Sequence, residues 1–358
     1  MEDKMPKYLE LVNWIKEQIE TEKLLPGQKM YSENELSDMF GLSRQTVRHA
    51  ISVLEQDNIL RRVRGSGTYI NEEPVEKHRN RIALIMTYLD GYIFPRTIQS
   101  VENILFKAGY TVQIAFTNNL IDRERMILED ILEKDEVAGV IVEATKSALP
   151  NPNLHFYKKL MERRIPVLFI NCFYEALKSP HVSMNDKQAG KIATNYLIQK
   201  GHKKITGIFK LDDGQGHLRY AGFGEAINEA GLTYDESKIL WVDTEDTRDL
   251  FKVKDKIRER LNGNTALVCY NDEVAFNLIK VLKEMEIRVP EDLSVISIDD
   301  SELAVLGDVK LTSVPYPMEK LGIKAANNLL ELIHNSRFDA NYEFGVQVVE
   351  RDSVKELK

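Results

Sequence analysis

The chain has 358 residues, 43% hydrophobic and 29% charged, enough for two or three domains with cores of their own. A net charge of −8 argues against a nucleic-acid coat or a basic membrane-surface protein, and two distant cysteines, Cys172 and Cys269, offer neither a disulfide framework nor a CxxC metal knuckle. The N-terminus lacks the apolar core of a signal peptide and no apolar run approaches about 20 residues, so a cytoplasmic protein with no membrane partner and no metal is expected.

Leu9, Val12, Ile15 and Ile19 recur at helical spacing and predict an amphipathic helix over 6–22, stopped by Pro26-Gly27. Ser32 and Glu35 then form a capping-box signature. Leu36, Met39 and Phe40 are expected to face a core, and Gly41 supplies the positive φ that ends a short helix. Ser43 caps the next helix, whose Val47, Ala50, Ile51 and Leu54 share one face. Arg44, Gln45 and Arg48 lie within about 100° of one another on the other face. Apolar residues flank the Gly65-Ser66-Gly67 tip, which reads as a hairpin. Together these elements predict a winged helix-turn-helix over 1–70, an α+β domain.

Residues 41–70 carry five arginines, two carboxylates and no lysine. A guanidinium fork can read guanine or clamp phosphate with two bonds at once, whereas a merely solvated arginine face is the plainer alternative. Residues 71–80 are charged, hold Pro74 and show no periodicity, so they read as a linker.

From residue 81 to 358 the pattern alternates between strand-like runs (82–86, 112–116, 138–142, 167–170, 205–209, 266–269 and 293–298) and helical ones (97–108, 121–134, 187–200, 217–230 and 271–286). Such alternation predicts parallel, doubly wound sheets, and the length calls for two lobes. Ligands of open α/β folds bind beyond the carboxyl ends of the strands. Reading those exits gives Tyr92, Phe94, Glu143, Lys146, Asn171, Arg219, Tyr270, Asn271 and Asp299 as candidate effector contacts. Amides, charges and aromatic faces together suit a small polyhydroxylated ligand. Plainer roles stay open: Asp186 and Asp272 could cap the helices they begin, and Tyr270 and Phe94 could be core aromatics.

An enzyme is not expected. Residues 214–219 start like a dinucleotide fingerprint, but Arg219 stands where the third glycine belongs, and no GxxxxGK[ST] loop occurs. Neither cysteine has a basic neighbour in sequence.

The stretch YSENELSDMFGLSRQTVRHAISVLEQDNILRRVRGSGTYI resembles the DNA-binding domain of GntR-type bacterial repressors. By position, that resemblance implies duplex operator DNA as a partner, read by Arg44, Gln45, Thr46 and Arg48 on the recognition helix. Glu33 would act at its entry, Arg64 and Gly65 on the wing, and Lys7 and Tyr8 at backbone phosphate. The segments GHKKITGI, CYNDEVA, VPEDLSVISIDDSELA and LTSVPYPMEKLG resemble the effector domain of LacI/GalR-type repressors, which share the two-lobed periplasmic-binding-protein fold. That resemblance implies a sugar effector held by Arg219, Asn271 and Asp299, with Asn171 bearing on which sugar, no cofactor, and a homodimer. The pairing of the two modules, with TYLDGYIFP, EATKSALPNPN and FKLDDGQG, resembles the arabinose-sensing repressors of Gram-positive bacteria and implies L-arabinose; another pentose or hexose is the alternative. The hinge helix of LacI-type proteins has no counterpart in the 71–80 pattern.

Overall fold

The computed structural model describes residues 7–21, 23–56, 59–71, 79–89 and 93–357, so most of the expected linker and Tyr92 lie outside the described residues. The chain divides into two compact units, residues 1–79 and 80–358.

The first unit contains α1 (Lys7–Glu20), α2 (Glu33–Phe40), α3 (Arg44–Gln56), β1 (Leu60–Val63) and β2 (Gly67–Ile70). Both halves of the capping box form at α2: the Glu35 amide donates to Ser32 Oγ at 3.2 Å, and the Ser32 amide to Glu35 Oε2 at 2.6 Å. Gly41, at φ 62°, ends the helix in the left-handed region that glycine enters without a Cβ penalty. Val47, Ala50, Ile51 and Leu54 bury one face of α3 against Leu11, Val12 and Ile15 of α1. Met39 corrects the expected core, because it is 54% exposed while Leu36 is fully buried. In a helix of eight residues only one narrow stripe meets its neighbours; Met39 lies about 60° to one side of Leu36, past the edge of that stripe, while Phe40, about 40° to the other side, stays partly buried. Strands β1 and β2 pair antiparallel, and the turn between them closes with the Ser66 amide donating to the Val63 carbonyl. Gly65 is the third residue of that turn, with φ 79°. Trp14 of α1 stacks edge-on against Phe40 at 5.0 Å.

The second unit begins with β3 (Arg81–Met86), α4 (Phe94–Lys107), β4 (Thr111–Phe116), α5 (Ile121–Lys134), β5 (Val137–Val142), α6 (Leu154–Glu162), β6 (Val167–Ile170) and β7 (His181–Met184). It continues through α7 (Asp186–Gln199), β8 (Ile205–Lys210), α8 (Gly214–Glu229), β9 (Leu240–Val242), α9 (Thr244–Arg248), α10 (Lys254–Leu261), β10 (Ala266–Cys269), α11 (Asp272–Glu284), β11 (Ser294–Asp299), α12 (Leu303–Leu306) and β12 (Thr312–Pro315). It closes with α13 (Met318–His334) and β13 (Tyr342–Phe344). Two parallel sheets result, ordered β13-β7-β6-β5-β3-β4 and β12-β11-β10-β8-β9. Central strands such as β5, covered by helices on both faces, are continuously apolar: Val140, Ile141 and Val142 are fully buried.

The chain passes between these two lobes three times: from β7 into α7, from β12 into α13, and after β13 back to the second sheet. On that return Val349 pairs with Ser313, and the Val295 amide reaches the Ser353 carbonyl. Helices α7 and α8 cross at backbone contact. A Cβ added at Gly190 would lie 2.0 Å from the Arg219 carbonyl oxygen, and one at Gly222 would lie 1.9 Å from that of Lys187. That approach brings the first residue of α7, Asp186, against the Arg219 side chain.

Candidate functional site

On the first unit, α3 presents Arg44, Gln45 and Arg48 to solvent, as spacing predicts. Thr46 is half-buried: its amide donates to Ser43 Oγ at 3.2 Å and its hydroxyl lies 2.9 Å from the same oxygen, so it holds the helix start. Glu33 sits between two arginines, 2.7 Å from Arg48 Nε and 3.5 Å from an Arg62 amino nitrogen, and Arg62 Nε also meets Glu55 at 3.2 Å. Arg44 and Arg64 are exposed and have no carboxylate partner among the described residues. Gly65 is exposed at the wing tip beside Arg64, and Arg61 lies over the Tyr69 ring at 5.7 Å. Lys7 is exposed, whereas the half-buried Tyr8 packs its ring edge-on against His49 of α3, 4.5 Å between centroids. The result is an exposed, arginine-bearing helix start beside a second exposed arginine on a strand turn.

On the second unit, a cavity of about 300 Å³ lies between the lobes at the carboxyl ends of both sheets. It gathers seven of the nine candidate effector residues: Phe94, Glu143, Asn171, Arg219, Tyr270, Asn271 and Asp299. Tyr92 falls outside the described residues. Lys146 is a correction, since it does not line the cavity: the chain turns there with φ 45°, and its amide is spent on Asn119 Oδ1 at 2.8 Å. Asn119 itself lines the cavity and donates to Thr244 Oγ1 across the cleft at 2.8 Å.

Arg219 is 1% exposed. Its Nε donates to Asp186 at 2.8 Å, a terminal nitrogen donates to the Tyr270 carbonyl at 2.6 Å, and the other lies 3.4 Å from Asp299. The guanidinium also sits 4.9 Å from the Tyr270 ring centroid. Burial opposes its charge, but Asp186 and Asp299 outweigh that and hold the proton more tightly than on a free arginine. Burial conversely pushes the Asp186 carboxyl above its ordinary value, with Arg219 pulling the other way. The helix caps are Asn185 and Asn271, not the following aspartates: Asn185 accepts from the Gln188 amide and Asn271 from the Val274 amide, both at 2.9 Å. Asp272 instead accepts from Ser297 of β11, Ser301 of the loop that follows it and Ser313 of β12, and ties these segments to the start of α11.

From the first lobe, Glu143 accepts from the amide and hydroxyl of Thr87 and, at 2.6 Å, from Asn171 Nδ2. Burial raises its pKa against those bonds. Sequence reading passed over Lys210, the first residue beyond the expected 205–209 run and the final residue of β8 in the structure. Its ammonium lies 3.2 Å from Asp213, which also accepts from the Tyr270 hydroxyl at 2.6 Å. Burial works against that ammonium, and Asp213 and Asp212 more than compensate, raising its pKa. Gln215, Thr244, Thr247 and Arg248 are further lining residues with no signal at a strand end, and Glu273 lines the cavity from the exit of the 266–269 run.

Three cations (Lys210, Arg219 and Arg248) and four carboxylates (Glu143, Asp213, Glu273 and Asp299) line the cavity, together with Tyr88, Phe94 and Tyr270. Neither sign dominates, which suits a neutral ligand that offers donors and acceptors in many directions and flat C–H faces to the aromatics.

Comparison with known proteins agrees in both units. The description "Bacterial regulatory proteins, gntR family" matches residues 7–70, and "Periplasmic binding protein-like domain" matches residues 194–354. The arabinose metabolism transcriptional repressor of Halalkalibacterium halodurans is 38% identical, with 97% of each chain covered. That of Geobacillus stearothermophilus is 35% identical over 99% of this chain and 100% of its own. Among solved structures, the transcription regulator CcpA of Lactococcus lactis superimposes with a TM-score of 0.69 at 25% identity, over 77% of this chain and 99% of that one.

Proposed function

The chain belongs to the family of arabinose metabolism transcriptional repressors, and on that premise we propose that L-arabinose, bound in the interlobe cavity, releases it from a palindromic operator. The protein is a DNA-binding regulator and not an enzyme. One observation carries the effector reading: a fully buried arginine is held in fixed orientation by two carboxylates and a carbonyl at the edge of a cavity lined from both lobes. A guanidinium so fixed offers its donors to ring hydroxyls without reorganising, which is how polar groups confer orientation in small-molecule sites. Glu143, Asn171 and Asn271 supply further acceptors and donors, and Phe94 and Tyr270 supply apolar faces. Arg44, Gln45 and Arg48 enter the major groove, with Thr46 holding their helix start; Arg64 and Gly65 reach the minor groove, and Lys7, Tyr8 and Glu33 support the phosphate side.

A homodimer formed through the larger unit presents two such readers to two half-sites, roughly 34–36 Å apart on one face of the duplex. What favours dimerisation is the unpaired outer edge of β4, where Ile114 is exposed, and the neighbouring helices with exposed Phe106 and Met126. Sugar binding then shifts the population toward an arrangement that does not fit both half-sites, by no more than its differential affinity for the two states. By linkage, operator weakens sugar binding by the same factor. The protein acts in the cytoplasm, and among the described residues no helix is long and apolar enough to cross a membrane.

The test is a thermal-shift and anisotropy panel, with an operator duplex selected by the protein itself from random sequence. L-arabinose is expected to raise the melting temperature and release the duplex, with ribose, xylose and galactose doing less. Equal responses to all four, or none to arabinose, overturn the assignment.

A further inference from the structure

The effector cavity has a neighbour. A second cavity of about 420 Å³ opens between the same two lobes, lined by Ser147, Phe173 and Glu175 on one side and by His217 and Leu218 on the other. The two cavities share three wall residues: Asn171, Cys172 and Gln215. Asn171 and Cys172 follow β6 in the first lobe. Gln215, the second residue of α8, is the sole shared wall residue from the second lobe.

The wall is a reciprocal amide pair. Gln215 Nε2 donates to Asn171 Oδ1 at 2.8 Å, and Asn171 Nδ2 lies 3.4 Å from Gln215 Oε1. Asn171 is fixed from behind by its 2.6 Å bond to Glu143. It sits at φ 69°, a left-handed conformation that asparagine tolerates better than most residues. Gln215 is 7% exposed, on a helix start fixed by Asp213 accepting from the Gly216 amide at 2.8 Å. Both amides are therefore buried with their partners satisfied, and parting them strands polar groups out of water at a cost in free energy.

From this we infer that Gln215 sets the length of the effector: paired with Asn171, it closes the cleft into two compartments and restricts the site to a monosaccharide. The inference rests on the sugar-effector reading above. A cavity of about 300 Å³ is at the bottom of the range for ligand sites, roughly 300–1,000 Å³, and holds one sugar ring. With the Gln215 side chain removed, the two compartments join into one of more than twice that volume. The added space carries what a second ring needs: the Phe173 face, stacked on His181 at 3.8 Å, and the polar groups of Ser147, Glu175 and His217. A pentose disaccharide then fits where only its reducing or non-reducing unit did before.

The experiment is calorimetric titration of the full-length wild type and Gln215→Ala with L-arabinose and with α-1,5- and α-1,3-linked arabinobiose. The wild type is expected to bind arabinose and neither disaccharide. Gln215→Ala is expected to bind at least one arabinobiose with a Kd within tenfold of its own for arabinose. Binding of arabinose but no disaccharide by Gln215→Ala overturns the inference, and so does binding of a disaccharide by the wild type. A wild type that binds none of the three sugars overturns the effector reading and this inference with it. If Gln215→Ala does not melt cooperatively, Gln215→Ser, whose hydroxyl suits the first turn of a helix, replaces it under the same criteria.

Discussion

The two units use arginine in opposite ways. In the DNA-reading unit Arg44 and Arg64 stand in solvent with no carboxylate partner among the described residues, while in the sensor Arg219 is sealed away with Asp186, Asp299 and the Tyr270 ring. An exposed guanidinium awaits a polyanion that brings its own charge, so leaving it unpaired costs little before binding and gives salt-dependent attraction afterwards. A neutral polyol brings no charge. Donors to it must be oriented in advance, and a buried cation can be held in advance only if the protein supplies the anions. Net charge −8 conceals this contrast, since only one of the two uses is visible from outside.

The comparison predicts mutants that separate cleanly. Arg219→Ala removes one partner of a buried pair and leaves Asp186 and Asp299 uncompensated, so it is expected to destabilise the sensor by about 3–5 kcal/mol and abolish the arabinose response. Urea unfolding and the sugar-induced thermal shift measure the two effects, and operator affinity below the unfolding transition is expected to stay within about twofold of wild type. A loss of operator binding in parallel with sugar binding would erase the distinction between the units. Arg44→Ala is expected to do the reverse. It lowers operator affinity by about 1–3 kcal/mol if the guanidinium meets guanine, with the melting curve unchanged, by anisotropy and calorimetry on one preparation. If only a phosphate contact is lost, the slope of log affinity against log salt falls by about one instead.

Glu33→Gln sharpens the contrast within the first unit. Glu33 holds Arg48 and Arg62 in half-exposed pairs, whose contribution to stability is about 0–1 kcal/mol. The variant is therefore expected to melt close to wild type while its operator affinity becomes steeper in salt, because the Arg48 guanidinium is released while Arg62 keeps Glu55. An unchanged slope would mean that Glu33 stays paired on DNA.

The smallest effect belongs to a surface pair in the sensor. Hydrogen bonds from Lys187 and Lys191 hold the Glu225 carboxyl down at about 2, from an ordinary value of 4.5. A lowered folded-state pKa contributes stability that is complete above pH 4.5 and disappears as pH falls toward 2. Glu225→Gln is expected to melt slightly below wild type at pH 7 and to converge with it as pH falls from 4.5 toward 2, which flattens the acid limb of the melting profile in that window. Superimposable profiles from pH 7 to pH 2 would show that these exposed charges contribute nothing.

Local rules reached the winged helix well. The capping box at Ser32, the glycine stop at Gly41 and the four apolar positions of α3 are signals within a dozen residues, and all three are in place. Strand exits located most of the cleft for the same reason: one principle of α/β topology applied to seven apolar runs. What escaped was information carried across the chain. Strands β7, β9, β12 and β13 have three or four residues each and lack the four-residue apolar run that marks the equally short β6 and β10, so they are defined by the sheets they join. Asp186 and Asp272 look like caps because a helix follows each. Their true roles depend on Arg219, 33 positions on, and on three serines up to 41 positions away. Lys210 directly follows the apolar 205–209 run, where a single lysine looks like the start of a solvated loop, and Gln215 had no marker at all, since its partner lies 44 residues upstream on another lobe.

The chain contains two tryptophans, and each unit holds one. Trp14 packs on Phe40 in the first, and Trp241 on Tyr220 at 4.9 Å and near His217 at 5.2 Å in the second. Tyr220 and His217 belong to α8, the helix that carries Gln215 and Arg219. Intrinsic emission therefore splits into two optical channels. With Trp14 replaced by phenylalanine, the remaining indole follows events at the cleft alone. With Trp241 replaced, the other follows the reader on its operator, and the unlabelled protein can time sugar arrival against DNA departure in a stopped-flow cell.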